Sequence, residues 1–301
     1  MHAKTKLLTV VLAACLAPAA NASTSIDLTQ ADFSTWSLHG FAAYGNNGVS
    51  GGMQHHLLRL TTHGTGGSAG AAFAPSSALI NFNQPFTVNF NFFMVPGVEL
   101  QGDGMTFVMT GTNPTADPVF STPGMDMGGS GGSGLGYGGT SPGSYAFAID
   151  TFHFSGQPVS PSIQILKDGS VTPIAFTETG VGDIRDPGFF QWQGQVAYAP
   201  SGNNDETGML TGTINQFVGS LSFSVSAPVD WTGVSAPQFD AGSGNYLGRA
   251  VFIGFTAGNG LADDGHFVSS VTPVPEAETW AMLLAGLGVV GWSARPRVRS
   301  A

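Results

Sequence analysis

Three acidic positions carry whatever chemistry this chain has. Asp103 lies in Gly102-Asp103-Gly104, Asp150 is followed by Phe152 and His153, and Asp263-Asp264 precede His266. Carboxylates of this kind serve in pairs as hydrolytic acid and nucleophile, or together as ligands to a hard cation. Retaining glycoside hydrolysis needs two carboxyl groups about 5–5.5 Å apart. The run Ala148 to His153 offers Asp150 alone, and of Glu99, Glu178 and Glu206 only Glu206 has an acidic neighbour, Asp205, in a turn. A polysaccharide hydrolase is the least favoured reading. The lone Cys15 sits in the leader, so thiol chemistry is absent from the body. His153 beside Asp150, and His266 after Asp263 and Asp264, are the other groupings that could assemble a metal site. His55-His56 reads as a surface pair.

The elements that position these residues follow from composition. Only 9% of the residues are charged, against a usual quarter or so, while 44 are Gly and 22 Phe. Between Ser23 and Pro273 four bases (Arg59, Lys167, Arg185, Arg249) face seventeen acids, a formal charge of −13. Such a body repels phosphate backbones, which excludes nucleic acid as a partner. Helical bundles are disfavoured by the glycine content, and disorder by the 42% of apolar residues.

Period-two alternation recurs through the body. Phe86, Val88, Phe90 and Phe92 share one face, as do Tyr145, Phe147 and Ile149, then Ile163 and Ile165. Leu221, Phe223 and Val225 repeat the pattern, and Val251, Ile253 and Phe255 read as a buried closing strand. The stretches Pro123 to Gly143 and Pro200 to Gly208 read as turns and loops. Two antiparallel sheets packed face to face satisfy this pattern in one domain over 23–273. The Gly-Ser tract 128–139 reads as a long loop at one end of the sandwich. It contains matches to G-x-S-x-G and G-x-G-x-x-G without the strand-to-helix context that gives either motif its mechanism.

The ends read as addresses. Lys4 and Lys6, the apolar run Leu7 to Leu16, and Ala20-Asn21-Ala22 form a cleavable signal peptide over 1–22. Leu12-Ala13-Ala14-Cys15 also fits a lipoprotein signal that lipidates Cys15. At the other end, Pro275-Glu276-Ala277 leads into thirteen largely apolar residues, 280–292, and then Arg295, Arg297 and Arg299. That run, predicted as a short membrane helix, spans about 20 Å, short of the ~30 Å hydrocarbon core. Segment 274–301 resembles the tripartite PEP-CTERM sorting signal of Gram-negative bacteria, with Ala277 where the second Pro is usual. The resemblance implies an exosortase-type processing enzyme as partner and transient residence in the inner membrane. It also implies export to the envelope, outer surface or extracellular matrix.

A second resemblance covers the body. The segments LLRLTTHGTGGSAGAAFAP (57–75), Phe86 to Phe93, GDGMTFVM (102–109), GGSGLGYGG (131–139) and AFAIDTFHF (146–154) come first. Trp192, Tyr198 and VFIGFTAGNGLADDGH (251–266) follow in order. Together they resemble an L-type, legume-lectin-like domain, an all-β concanavalin-like jelly roll. The resemblance implies that Asp103 accepts hydrogen bonds from two sugar hydroxyls. It implies that Gly132 and Ser133 turn a backbone N–H toward the sugar and that Phe152 stacks on its ring. It implies too that Leu261, Ala262, Asp263 and Asp264 set monosaccharide preference. The plainer readings are a turn Asp before Gly104, a core Phe and a solvated acidic turn.

The family's calcium and transition-metal ligands are mostly missing. Asp150 remains, but Ala148, Phe154, Val159 or Ser160, and Ser162 stand where Glu, Asn, Asp and His would ligate. Calcium at Asp150 is thus an open expectation and a transition metal is disfavoured. The expected function is a non-catalytic carbohydrate-binding protein whose partner is a carbohydrate or exopolysaccharide. A structural matrix protein that has lost sugar binding is the alternative.

Overall fold

The structure, a computed structural model, describes residues 24–50, 53–64, 66–97, 101–121, 132–185, 192–202 and 205–273. The signal segment with Cys15, the start of the Gly-Ser tract and the sorting segment from Val274 onward lie outside them. Among the described residues no helix is long and apolar enough to cross a membrane.

Two sheets form the body. The first runs Ser222–Asp230, Thr207–Gln216, Trp192–Pro200, Phe86–Val95, Gly265–Pro273, Met53–Arg59 and Ala43–Ser50 in spatial order, all antiparallel. Thr24–Asp27 adds to Phe86–Val95 as a parallel partner. The second runs Ala175–Glu178, Ser162–Lys167, Ser144–Asp150, Gly104–Thr110, Tyr246–Gly258, Ala69–Phe73 and Ser37–Gly40, again antiparallel. Ala78–Ile80 and Pro237–Phe239 pair with the early part of Tyr246–Gly258.

The expected alternation is what joins the sheets. Phe86, Val88, Phe90 and Phe92 are all buried, and Phe90 lies 5.5 Å from Phe107 and 5.1 Å from Phe255 on the facing sheet, centroid to centroid. Toward one end Trp231 stacks on Phe82 at 4.3 Å and contacts Phe86, Tyr145 and Tyr198. Aromatic rings bury large apolar areas, so this cluster carries much of the stability.

Three local expectations are corrected. Leu221 is 38% exposed and precedes the strand Ser222–Asp230, because the alternation sets in only at Phe223. Thr207 and Gly208, read as turn, already pair with Asp230 and Val229. His55-His56 is no surface pair. His56 is 6% exposed on the strand Met53–Arg59, with Nδ1 2.9 Å from Tyr44 Oη and Nε2 2.8 Å from Thr272 Oγ1.

The described part of the Gly-Ser tract is packed rather than loose. Leu135 and Tyr137 are buried in a second apolar cluster with Phe73, Val108 and Leu166. Tyr137 Oη lies 2.9 Å from Ser144 Oγ, and Thr256 Oγ1 donates to the Leu135 carbonyl at 2.7 Å. Gly136 has φ +69°, and a Cβ there would stand 2.7 Å from the Ala257 carbonyl, so only glycine lets the segment lie this close. The segment is thereby clamped to the second sheet, with Gly132 at its leading edge.

Candidate functional site

Three neighbouring strands of the second sheet end side by side. Gly104 pairs with Asp150 on one flank and with Gly258 on the other. The residues that flank these ends, Asp103, Thr151 and Asn259–Gly260, therefore meet. The Thr151 N–H donates to the Asp103 carbonyl at 2.9 Å, and the Gly260 N–H donates to Asp103 Oδ2. Asp103 is 2% exposed, and among the other described residues only Gly260 donates to its carboxylate. Two glycines face it: a Cβ on Gly260 would stand 2.9 Å from Oδ2, and one on Gly132 3.7 Å from Oδ1. Any larger residue at 260 would cap the carboxylate.

Burial pushes the Asp103 pKa up to about 6, against the pull of the Gly260 N–H, while the charge of Asp264 adds to the rise. Asp150, 4% exposed, is raised further, to about 7, again by burial; Phe152, Ser160 and Gln164 pull the other way. Its oxygens are engaged. Oδ1 accepts from the Phe152 N–H at 3.1 Å and from Ser160 Oγ at 3.2 Å, and Oδ2 accepts from Gln164 Nε2 at 2.8 Å.

This arrangement decides the calcium expectation. Calcium takes six to eight oxygens, several of them carboxylate. Asp150 instead faces three hydrogen-bond donors, and no group of three or more His, Cys, Asp or Glu able to hold a metal occurs among the described residues. The residues present do not fit the ion. Ser160, one of the two positions where the family's second Asp would fall, itself bonds Asp150, and Ser162 bonds the same Gln164 amide at 2.9 Å. Hydrogen bonds thus hold the loop that begins at Thr151. His153 is exposed, and Phe152 keeps a partly exposed ring 5.1 Å from Phe154. Phe152 is therefore not a core residue, although Phe154 covers one edge.

Other expected site residues are placed differently. The acidic turn is not solvated: Asp263 is 7% and Asp264 0% exposed. Asp264 Oδ1 accepts from the Gly97 N–H and from Arg185, both at 3.1 Å, and Oδ2 accepts from the Gly102 N–H at 2.7 Å. With both oxygens engaged in this way, the Asp264 carboxylate ties the loop to Gly97, Gly102 and Arg185. Gly132 also departs from expectation, because its N–H donates to the Asn259 carbonyl at 3.1 Å. Gly132 contributes space rather than a donor. Ser133 is partly exposed beside it, Ala262 is buried, and Leu261 stands fully in solvent next to Gly260.

Sequence reasoning missed Asn259, Gly260, Gln164 and Arg185. Asn259, 0% exposed, donates to the Asp264 carbonyl at 2.9 Å and receives the Asp264 N–H at 3.3 Å, closing the loop on itself. The Gly-Asn-Gly at 258–260 was its available signal, a turn tripeptide beside the acids.

His266 is fully buried, with Nδ1 2.7 Å from Thr61 Oγ1, and burial pushes its pKa down to about 3. Below pH 6.5 the unfolded chain takes up a proton that the folded chain refuses. This stability contribution is therefore lost as pH falls from 6.5 toward 3. Relative to His266→Asn, which cannot charge, the wild type is expected to lose about 1.4 kcal/mol per pH unit in that window. Urea midpoints measured from pH 7.5 to 4.5 check this, and parallel curves for the two proteins would refute it.

Comparison with known proteins adds two findings. Residues 273–298 match the PEP-CTERM protein-sorting motif. Among solved structures, the basic winged bean lectin with Tn-antigen superposes with TM-score 0.54 at 19% identity, covering 81% of this chain and 96% of that one. The Bauhinia forficata lectin in complex with GalNAc gives TM-score 0.55 at 18% identity, covering 81% and 95%. Peanut lectin with a 9-mer peptide gives TM-score 0.54 at 18% identity over the same shares. No curated protein matches the sequence. The fold is that of the legume lectins, and the chain ends in a sorting motif.

Proposed function

From a legume-lectin sandwich on a chain that carries a PEP-CTERM sorting motif, we propose an exported, non-catalytic carbohydrate-binding protein. An exosortase-type enzyme processes its C-terminus at the inner membrane, and the product acts in the envelope or extracellular matrix on a glycan such as an exopolysaccharide. The observation that carries this reading is Asp103: a buried carboxylate with one backbone donor from another residue, flanked by two glycines, at the meeting point of three strand ends. Ionised, it accepts sugar hydroxyls, and charge-assisted hydrogen bonds in a low-dielectric setting are the strong ones. Phe152 offers a ring for the pyranose face and Leu261 an exposed apolar contact, with Ser133 partly exposed beside Gly132.

A paired-carboxylate hydrolysis gains no support from the geometry. Asp150, beside Asp103, has both oxygens committed to donors on its own loop and the adjoining strand.

The test is glycan-array binding by the purified full chain, with added Ca²⁺ and again with a chelator. Saturable binding that chelation leaves within about twofold is expected, because hydrogen bonds to Asp150 hold the loop. Binding lost on chelation would overturn the metal-free account. A folded protein that binds no glycan in either condition would shift the reading to a structural matrix protein.

A further inference from the structure

The opposite end of the sandwich carries a second cleft. The strand Tyr246–Gly258 ends at the Asp103 site and begins beside this cleft, so the two lie about 40 Å apart at ~3.3 Å per residue. The cleft measures about 730 Å³ and is lined by Asn81, Asn83, Gln84, Thr232, Phe239 and Tyr246, with Asp205, Glu206, Pro237 and Arg249 completing it. That size suits a small ligand.

Its chemistry is specific. Phe239 is 57% exposed and meets Tyr246 edge-on at 5.9 Å, which leaves an open aromatic wall. Asn83 Oδ1 and Gln84 Oε1 are shielded from solvent and accept no hydrogen bond from the described residues. Unmet amide acceptors are uncommon in folded proteins, and the terminal torsions that turn them are soft. Glu206 and Arg249 neutralise each other at 2.7 Å beneath the cleft, and Glu206 is held at φ +61°, a backbone conformation that folds rarely keep without cause. The remaining charge is Asp205, exposed at the rim and already bonded to Thr207 and Ser201.

An aromatic face, side-chain amides and a hydroxyl, with no free cation among the described lining residues, match a polyhydroxylated ring and repel an anion. We propose that this cleft is a second binding site, for a neutral saccharide unit, independent of Asp103. A monomer with a site at each end bridges two glycan strands, which suits a matrix protein.

The test uses the full chain in a polyoxyethylene detergent, titrated with neutral hexasaccharides (cellohexaose, laminarihexaose, maltohexaose, xylohexaose) and with oligogalacturonate, and followed by saturation-transfer NMR. Asp103→Ala is expected to retain saturable binding of a neutral hexasaccharide. Adding Phe239→Ala, at an exposed position where folding is safe, is expected to weaken that remainder at least tenfold. The second site is overturned if folded Asp103→Ala binds none of the sugars, or if the double variant binds like Asp103→Ala. Phe239-dependent binding of oligogalacturonate would overturn the neutral assignment. If Asp103→Ala binds like wild type while Phe239→Ala removes all binding, the second site stands and the Asp103 reading falls.

Discussion

Asp103→Ala is expected to weaken glycan binding at the first site by more than about a hundredfold while leaving the fold intact. Each hydrogen bond to a charged partner is worth about 1.5–3 kcal/mol, and two of them exceed the ~2.7 kcal/mol of two decades in affinity. The fold does not depend on this charge. The Asp103 pKa is raised in the folded state to about 6, so its stabilising contribution is complete below about 3.8 and is lost as pH rises through 6. At pH 7.5 the ionised group opposes burial, and removing it sacrifices backbone hydrogen bonds alone, from Gly260 and from Asp103 itself. The unfolding midpoint of Asp103→Ala at pH 7.5 should therefore match or exceed that of the wild type. The same titration gives the wild type a binding signature. Affinity should fall about tenfold per unit as pH drops below about 6, where the acceptor takes up a proton. Calorimetric titration of an array-identified oligosaccharide from pH 7.5 to 4.5 reads both effects. Unchanged affinity in Asp103→Ala, or no pH dependence in the wild type, would remove Asp103 from the site.

Much of the architecture was legible because alternation is a direct consequence of a strand with one face in a core. Phe86, Val88, Phe90 and Phe92 reported their sheet without help, as did Tyr145, Phe147 and Ile149. The parallel addition of Thr24–Asp27 was not legible, since four residues at an edge carry too little pattern. Asp103 and Phe152 could be singled out by their setting, but the roles of their neighbours could not. Asp263 and Asp264 look alike in sequence, yet Asp264 turns inward onto Gly97, Gly102 and Arg185, a choice made by residues more than seventy positions away. Gln164 was silent for the same reason. Its amide reaches Asp150 only because Ser162–Lys167 pairs with Ser144–Asp150, and a Gln on a strand announces nothing by itself.

Arg249→Ala is expected to be among the most damaging single substitutions in the protein, costing about 3–5 kcal/mol. Arg249 and Glu206 are 6% and 7% exposed. Nε meets both Glu206 oxygens at 2.9 and 2.8 Å, Nη2 meets Oε2 at 2.7 Å, and Nη1 donates to the Ser235 carbonyl. Tyr246 Oη also donates to Glu206 Oε1. Removing the guanidinium leaves a largely buried carboxylate without its charge partner, and an unpaired buried charge is the expensive case. The damage would spread, because the Glu206 carbonyl accepts the Trp231 N–H at 3.1 Å, and Trp231 sits among Phe82, Phe86, Tyr145 and Tyr198. Against a typical total of 5–15 kcal/mol, such a loss brings the fold near its threshold. The double variant Arg249→Met with Glu206→Gln discriminates the cause. It leaves no unpaired charge and fills most of the volume, so it should recover at least half of the loss. Guanidinium unfolding of Arg249→Met, Glu206→Gln and the double completes the cycle. If Arg249→Ala costs under about 1 kcal/mol, or if the double variant simply sums the single losses, the pair is not the electrostatic unit described here. A buried pair that behaves as expected also ties the wall of the second cleft to the core, because the residues that shape the cleft at Tyr246 are the ones that hold Glu206 in place.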